Sequence, residues 1–217
     1  MCGIAGYIGR ESIEQPVLHK TLSLMKNRGP DHQGYRHIKH NGTNIYSLHS
    51  RLSIIDLDKR SNQPYTLNGC TLIFNGEIYN YLELKENLRM QGVACTTTSD
   101  TEVLLRYYLI YGEDCVSHFE GMWSFAIYDN QHKKLFLSRD RFAEKPLFYY
   151  KTEDGFYFGS EIKFIKSLSG KSLTINQKHL LRYLVQGYKS LYKVDETFFK
   201  EISEIKYATN LVVNPDL

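Results

Sequence analysis

Four apolar runs between residues 122 and 159 constrain the fold of this chain more than any other feature. The runs cover residues 122–128, 134–138, 147–151 and 156–159. Residues 123–127 are largely apolar on both alternating faces, which predicts a strand whose sheet is covered on both sides. Turn signals at Asp129-Asn130 and Asp154-Gly155 predict hairpins between neighbouring runs. The chain must therefore place an apolar layer against each face of its sheet.

Helical patterns and short strand patterns surround these runs. Strands are predicted over residues 2–8, 44–48, 53–56 and 71–75, with only weak, short signals over 197–213. Helices are predicted from Pro16 to about Gly29, from Asn80 to Gly92, from Ser99 to Gly112, and over 177–185. Asn80 and Ser99 each precede a glutamate by three residues, as in a capping box. The predicted fold class is α+β, a four-layer helix–sheet–sheet–helix sandwich with two antiparallel sheets.

The composition narrows the classes of function. The chain has 217 residues and a net charge of +3 with both signs interspersed, which predicts neither a nucleic-acid partner nor a membrane partner. No run approaches the ~20 apolar residues of a membrane span, and the start does not resemble a secretory signal. We therefore expect a cytoplasmic protein whose cysteines are free thiols: Cys2, Cys70, Cys95 and Cys115. No metal-ligand spacing is present in the sequence, so no metal site is predicted.

Cys2 directly follows the initiator methionine. Methionine aminopeptidases remove Met1 when the second residue is small, so we expect the mature chain to begin at Cys2. Such a residue carries a thiol with a reference pKa of about 8.5 and an α-amine with a reference pKa of about 7.7–8.0. It can therefore act as nucleophile and base together, as in N-terminal nucleophiles. By itself, the position is equally that of a cysteine that happens to follow Met1.

Five further segments accompany Cys2 in a fixed order. They are Arg28-Gly29-Pro30-Asp31-x-x-Gly34, His49-Ser50-Arg51-Leu52-Ser53-Ile54, Asn75-Gly76-Glu77-Ile78-Tyr79-Asn80, Ser99-Asp100-Thr101-Glu102 and Asp140-Arg141-x-x-x-Lys145-Pro146-Leu147. Over about residues 2–165 the chain resembles the glutaminase domain of class II glutamine amidotransferases, a family of N-terminal-nucleophile hydrolases. Segments 75–80 and 145–147 resemble its asparagine synthetase branch more than the sugar-phosphate and phosphoribosyl amidotransferases.

The resemblance implies hydrolysis of the glutamine side-chain amide through a thioester. Cys2 is the implied nucleophile, and its α-amine is the implied base. The Asn75 side-chain amide and the Gly76 backbone N–H are the implied donors to the developing oxyanion. Alone, Asn75-Gly76 is also a typical tight turn.

Further residues are implied to bind L-glutamine. Arg51 matches a carboxylate with paired hydrogen bonds, while Asp100 and Glu77 suit the α-ammonium. Asp100 also has a structural explanation, because a carboxylate in the first turn favours the helix dipole. The residues after Arg51 are implied to line the pocket, partly through backbone groups, with side chains that serve strand and core: Leu52, Ser53, Ile54 and Ile55.

Other motif residues are interpreted as structural. We expect Arg28 and Asp31 to form an ion pair that braces the loop near Cys2, and His49 to be a satisfied structural histidine. Three charged residues are expected to brace a hairpin or to face a partner domain rather than to act in catalysis: Asp140, Arg141 and Lys145.

The resemblance divides the chain into a glutaminase domain at 2–170 and a C-terminal extension at 171–217. The glutaminase reaction needs no cofactor. ATP and magnesium are expected only in a synthetase domain, whose Ser-Gly-Gly-x-Asp-Ser-type loop does not occur in this sequence. The chain is therefore expected to be a truncated glutaminase domain or a stand-alone one with a separate synthetase partner. Homodimerisation stays open.

Two departures from the family pattern bear on the product. Ala143 stands where a glycine is usual, and residues 206–210 replace a Pro-Gly-His-like stretch. Both departures bear on whether asparagine is the product more than on whether glutamine is the substrate. Amidation of a sugar or peptide precursor therefore stays an alternative. A catalytically silent interaction module with the same fold is the second hypothesis.

Overall fold

The computed structural model describes residues 1–214, except for the side chains of Tyr192 and Lys193. Within these residues, the strands form two antiparallel sheets. The first sheet has the strand order β10-β8-β9-β1-β3-β2. Its strands are β1 (Gly3–Gly9), β2 (His32–His40), β3 (Thr43–Arg51), β8 (Phe148–Lys151), β9 (Gly155–Gly159) and β10 (Ser203–Glu204).

The second sheet has the strand order β11-β7-β6-β5-β4. Its strands are β4 (Tyr65–Leu67), β5 (Cys70–Ile78), β6 (Gly121–Asp129), β7 (Lys134–Arg139) and β11 (Thr209–Val213). In the predicted C-terminal extension, β10 pairs with β8 and β11 pairs with β7. The extension thus adds one strand to each sheet.

Helices cover the outer face of each sheet. The α-helices of the described residues are α1 (Gln15–Met25), α2 (Tyr81–Met90), α3 (Asp100–Tyr111), α4 (Ile162–Ser169) and α5 (Gln177–Gln186). Helices α1 and α4 pack on the first sheet, and α2 and α3 lie on the second. The predicted four-layer sandwich is therefore confirmed.

The core explains why the runs at 122–159 are apolar on both faces. On β6, Phe125 and Ile127 point to the helix side of the second sheet. Ala126 and Tyr128 point the other way, into the layer between the sheets. Each strand side chain therefore enters one of two buried layers, as alternation along a strand requires.

The structure differs from the sequence predictions in several elements. Residues 53–56 form a loop and not a strand, and Ile54 is 61% exposed. Strand β2 was not predicted because its sequence is polar, which suits its place at the sheet edge. The turn at Asn41-Gly42, where both residues have positive φ, was the available signal for its hairpin with β3. Helix α4 was also missed, because its N-terminal residue Glu161 makes no side-chain cap.

The two predicted capping boxes do not form. The Asn80 side chain accepts from the Glu120 N–H and donates to the His118 carbonyl, so it ties α2 to a neighbouring loop. Ser99 does cap α3 by accepting from the Thr101 N–H. Its glutamate, Glu102, accepts from the backbone of the preceding loop rather than from Ser99.

Candidate active site

A cavity lies where the ends of several elements meet between the two sheets. Pairing of Gly3 with Ser50 brings the start of β1, and thus Cys2, beside Arg51 at the end of β3. The second sheet contributes β5, and α3 contributes its first residues. The lining residues are Met1, Cys2, Arg51, Leu52, Ile54, Ile55, Gln63, Phe74, Asn75, Gly76, Glu77, Ser99, Asp100, Thr101, Met122 and Lys145. Segments far apart in sequence therefore share one cavity.

Cys2 is held through both its main chain and its side chain. The Arg28 Nε donates to the Cys2 carbonyl at 2.8 Å, and the Leu52 N–H approaches the Cys2 Sγ at 3.4 Å. Burial raises the pKa of the Cys2 thiol, while the Leu52 N–H, the N-terminal amine and Arg51 act in the opposite direction. The thiol is thus fixed in place but needs a base or added positive charge to ionise near neutral pH.

The predicted oxyanion donors lie on β5. Asn75 is buried at 1% exposure, and its Nδ2 lies 3.4 Å from the Ser124 Oγ on β6. The Asn75 Oδ1 has no partner among the described residues. The amide is therefore held by the sheet with only one weak side-chain contact, and Nδ2 keeps a hydrogen for another acceptor.

Gly76 is required by its neighbours on β6. A Cβ at this position would lie 2.2 Å from the Met122 carbonyl oxygen and 2.8 Å from the Trp123 Cα. The side that lacks a Cβ faces β6, so close strand packing is what demands glycine.

Arg51 organises the loop that follows it. Its guanidinium donates to the Asp58 carbonyl at 3.0 Å, to the Asn62 Oδ1 at 2.8 Å and to the Ile55 carbonyl at 3.3 Å. A further bond goes to the Asp56 carbonyl. Both terminal nitrogens of the Arg51 guanidinium thus donate to loop 52–62. To bind a substrate carboxylate as predicted, Arg51 must share these donors between the loop and the substrate, or exchange bonds to the loop for bonds to the substrate.

Asp56 anchors the same loop to the segment before α3. Its carboxylate accepts from the Thr98 N–H at 2.8 Å and from the Asp58 N–H at 3.1 Å. Burial raises the pKa of Asp56, but these hydrogen bonds outweigh burial and lower it to about 2. The loop is therefore tied to the segment that leads into α3.

Two carboxylates line the opposite wall. Asp100 is 5% exposed, and its Oδ2 accepts from the Ile78 N–H at 3.1 Å. Burial raises the pKa of Asp100 to about 6 against the pull of that bond and of Ser99. Glu77 lines the same cavity. A buried carboxylate whose ionised form is disfavoured suits a site that receives a cation.

Lys145 lines the cavity, although we expected it to brace a hairpin or face a partner. It is 6% exposed, and its Nζ lies 3.5 Å from the Met1 Sδ. The turn that carries it is fixed by the buried Asp140 carboxylate, which accepts four backbone N–H groups: Trp123, Phe142, Glu144 and Lys145. Asp140 thus has the predicted structural role, as does Arg141, which donates to the Phe119 carbonyl at 2.7 Å.

Other predicted residues lie beside the cavity rather than in it. Ser53 donates its N–H to Asp31 at 2.7 Å and does not line the cavity. The predicted ion pair between Arg28 and Asp31 is wrong, because Arg28 pairs with Glu161 at 3.2 Å. Both residues still brace the surroundings of Cys2.

His49 is buried between the sheets. Its Nε2 lies 3.0 Å from the Phe74 carbonyl oxygen, and its Nδ1 has no partner among the described residues. Burial lowers the pKa of His49 to about 3. His49 is therefore a neutral structural group that is only partly satisfied.

Gln63 is a site residue that the sequence analysis missed. Its Oε1 accepts from the Phe74 N–H at 2.6 Å, and its Nε2 donates to the Thr101 Oγ1 at 3.3 Å. It thereby joins β5 to the start of α3 behind the cavity. Glutamine has no local signature for such a bridge, so no sequence signal could have found it.

Two kinds of feature are absent from the described residues. Among residues 1–214, every helix is too short or too polar to cross a lipid bilayer. In the same part of the chain, no three His, Cys, Asp or Glu side chains are grouped so as to hold a metal ion.

Comparison with solved structures defines the class of fold. The chain is similar to a glutamine phosphoribosylpyrophosphate amidotransferase from B. subtilis, with a TM-score of 0.62 and 20% identity over 77% of this chain and 44% of the other. It is also similar to an allosteric regulatory enzyme of purine biosynthesis, with a TM-score of 0.65 and 17% identity over 98% of this chain and 47% of the other. The fold is that of the N-terminal-nucleophile amidotransferases.

Sequence comparison then gives the family. A family model described as a glutamine amidotransferase domain matches residues 1–216, and the chain belongs to that family. It is 36% identical to a putative glutamine-hydrolysing asparagine synthetase 2 of Methanocaldococcus jannaschii, over 92% of this chain and 42% of the relative. It is 35% identical to glutamine-hydrolysing asparagine synthetase 1 of Bacillus subtilis, over 100% of this chain and 34% of the relative. The chain thus spans less than half the length of these curated relatives.

Proposed function

We propose that this chain hydrolyses the side-chain amide of L-glutamine, with Cys2 as the nucleophile. The observation that carries the proposal is the shared cavity of Cys2, Asn75 and Gly76. In that cavity a thiol lies beside an amide that keeps a hydrogen for an oxyanion. Family membership supports glutamine as the substrate.

The reaction proceeds in two steps, formation of a thioester and its hydrolysis. After removal of Met1, the Cys2 α-amine takes the thiol proton, and the sulfur attacks the amide carbon. The carbon–nitrogen bond breaks, ammonia leaves with the proton from the α-ammonium, and a γ-glutamyl thioester remains. Water then attacks the thioester, which releases glutamate and restores the thiol. Asn75 and the Gly76 N–H stabilise the oxyanion of each step.

The charged walls of the cavity orient the substrate. Asp100 and Glu77 bind the α-ammonium, and Arg51 binds the α-carboxylate by sharing donors that now hold loop 52–62. Leu52, Ile54 and Ile55 contact the substrate through this loop, and Ser53 acts through its bond to Asp31. Recognition of both charges distinguishes glutamine from a simple amide.

Ammonia is proposed to pass to a synthetase domain or subunit that makes asparagine. The named relatives are glutamine-hydrolysing asparagine synthetases, and they are more than twice as long as the matched region. ATP and magnesium act in that synthetase part, and the glutaminase step needs neither. We place the protein in the cytoplasm, where a free Cys2 thiol stays reduced. Homodimerisation remains a prediction.

The test is glutamate release from glutamine by a protein with Cys2 as its first residue, as checked by intact mass. We expect Cys2→Ala to abolish release, because no nucleophile remains. Cys95→Ala is the matched control, since Cys95 is also a free, partly exposed thiol but lies outside the cavity. Equal release by wild type and Cys2→Ala would contradict the mechanism. No release by the wild type would favour an interaction module.

A further inference from the structure

Lys145 is a buried cation that the proposed reaction has not used. It is 6% exposed, and within residues 1–214 the only polar contact of its Nζ is the Met1 Sδ at 3.5 Å. No carboxylate of the described residues lies within salt-bridge distance of it. A buried ammonium is costly unless it is paired or has a task. A thioether is a weak acceptor and offers little compensation.

The position of Met1 shows what Lys145 faces in the processed chain. Met1 is bonded to the Cys2 nitrogen, and its side chain reaches the Lys145 Nζ. When Met1 is removed, the new Cys2 α-amine borders the space that Met1 occupied, and the Lys145 ammonium points into that space. The contact with Met1 is lost at the moment when the α-amine is created.

The turn that carries Lys145 keeps the ammonium in place. Asp140 is fully buried and accepts four backbone N–H groups of its surroundings, including that of Lys145 at 3.0 Å. Arg139 donates to the Lys145 carbonyl at 2.7 Å. The backbone of Lys145 is therefore held at both its N–H and its carbonyl. This fixes the point from which the charged side chain extends.

We propose that Lys145 is a positioning residue whose ammonium keeps the Cys2 α-amine neutral, and therefore basic, at neutral pH. Like charges disfavour each other's protonated forms, so a fixed cation favours the free amine. The reference pKa of an α-amine is about 7.7–8.0, so without such help most of it is protonated at pH 7. This inference rests on the proposed function, because it assigns the amine as base.

Other charges around Cys2 do not replace this effect. They come from every element that packs against it: Arg28 with its partner Glu161, Arg51 on β3, Glu77 on β5 and Asp100 at the start of α3. Without substrate, the charge of Arg51 is opposed by the carboxylates of Asp100 and Glu77, which line the same cavity. Arg28 is paired with Glu161. Lys145 is then the cavity cation whose ammonium has no oxygen partner among the described residues.

The experiment compares Lys145→Met, which removes the charge at similar length, with Lys145→Arg, which keeps it. Protein with Cys2 as the first residue is used, and Lys145→Gln serves as a second neutral variant if Lys145→Met folds poorly. Lys178→Met, an exposed lysine on α5, controls for net charge. Two readouts are followed against pH: kcat/KM for glutamine, and labelling of the Cys2 α-amine by an amine-reactive reagent, read on the N-terminal peptide by mass spectrometry.

We expect the acid limb of kcat/KM and the midpoint of amine labelling to move up by about one pH unit in the neutral variants, as a partly screened charge pair predicts. At pH 7, kcat/KM then falls about fivefold and recovers at alkaline pH, because a move of the amine pKa from about 7 to its reference range lowers the free fraction from about one half to about one tenth. Lys145→Arg and Lys178→Met should match the wild type. A purely structural role for Lys145 would lower activity at all pH values without moving the limb.

An unmoved labelling midpoint in both neutral variants would overturn the inference, as would a shift in Lys145→Arg as large as in Lys145→Met. The labelling readout does not depend on turnover. If the wild type shows no Cys2-dependent glutamate release, the proposed function fails separately from this test.

Discussion

The two walls of the cavity are built by different forces. Asn75 and Gly76 belong to β5 and pair residue by residue with Ser124 and Trp123 of β6, so backbone hydrogen bonds place them. Loop 52–62 has no such ladder. It is held by the side chains of Arg51 and Asp56, whose hydrogen bonds end on loop and cavity-wall backbone.

The difference separates rigidity from adaptability. A donor that waits for an oxyanion must be preorganised, and a paired strand provides that. A wall that recognises an amino acid must admit it, and a loop held by exchangeable side-chain bonds can open. Ile54 and Leu57, at 61% and 75% exposure, lie on that loop, and Ile54 also lines the cavity. We therefore expect substitutions in the β5 wall to change kcat and substitutions in the loop wall to change KM.

Asn75→Ala is the sharpest test of the β5 wall. We expect kcat to fall about 10²–10³-fold, since one oxyanion donor is lost, with little change in KM. Glutamine turnover and thermal unfolding are measured together. Ser124→Ala removes the side-chain partner that Asn75 has among residues 1–214 and is the matched control, with a much smaller expected loss. A large rise in KM instead would make Asn75 a binding residue and break the distinction between the walls.

Arg51→Lys tests the loop wall. An ammonium has three donors and cannot replace the guanidinium that holds the loop at Ile55, Asp56, Asp58 and Asn62. Hydrogen bonds to charged groups contribute about 1.5–3 kcal/mol each, so we expect KM for glutamine to rise about tenfold or more. Amide hydrogen exchange over residues 53–62 should accelerate while β5 stays protected. Unchanged exchange in the loop would show that Arg51 does not hold it.

Asp100 is bonded to the backbone of β5 and should make glutamine binding depend on pH. Its pKa is raised from 3.8 to about 6 by burial, so its carboxylate protonates as the pH falls below about 6. We expect KM for glutamine to rise in that range and Asp100→Asn to flatten the dependence at a high KM. A wild-type KM that stays constant from pH 7 to pH 5 would contradict the role of Asp100.

The raised pKa of Asp100 also affects the stability of the fold. Glutamine binding favours the ionised carboxylate, whereas the fold is more stable with the protonated carboxyl. The folded state binds this proton more tightly than the unfolded state does. Its contribution to stability is therefore fully present below pH 3.8 and is lost as the pH rises through about 6. Asp100→Asn should accordingly gain stability relative to wild type as the pH rises. The difference between their free energies of unfolding should favour the variant more above pH 6 than at pH 4. Urea titrations at the two pH values measure it.

The smallest expected effect concerns Ala143, outside both walls. Ala143 and Ala208 have φ of 55° and 49°, in the left-handed region that favours glycine, and both donate their N–H to the Asp140 carbonyl. Relief of this strain outweighs the added freedom of the unfolded chain, so Ala143→Gly should stabilise the fold by about 0.5–1 kcal/mol. Ala94→Gly, in an exposed loop without positive φ, is the control and should not stabilise. A lower melting temperature for Ala143→Gly would refute the strain.

Each of these two alanines lies in one of the two departures from the family pattern noted in the sequence. Each stands at a tight turn around Asp140, and the turn keeps its left-handed conformation without glycine. The departures therefore alter backbone strain at a structural turn. They leave the residues that line the cavity in place.

Much of the fold was predictable from local patterns, and the reasons are local. Doubly apolar strands such as β6 need cover on both faces, and the helix ends at Gly92, Gly112 and Gly187 have positive φ, as glycine allows. The incorrect strand prediction at residues 53–56 failed because side chains outside that segment decide its conformation. Residues 53–56 have a strand-like composition, but Arg51 and Asp31 take their backbone groups and leave a loop.

The sequence by itself determined which groups are available for chemistry: a penultimate cysteine, an amide beside a glycine, and paired opposite charges in a recognisable order. Only the tertiary structure decided how each is used. It committed the Arg51 donors to a loop, required Gly76 because of β6, and directed Lys145 into the cavity beside Met1. The physical reason is that burial and hydrogen-bond partners depend on register between strands and on packing of two sheets, which no short stretch of sequence encodes.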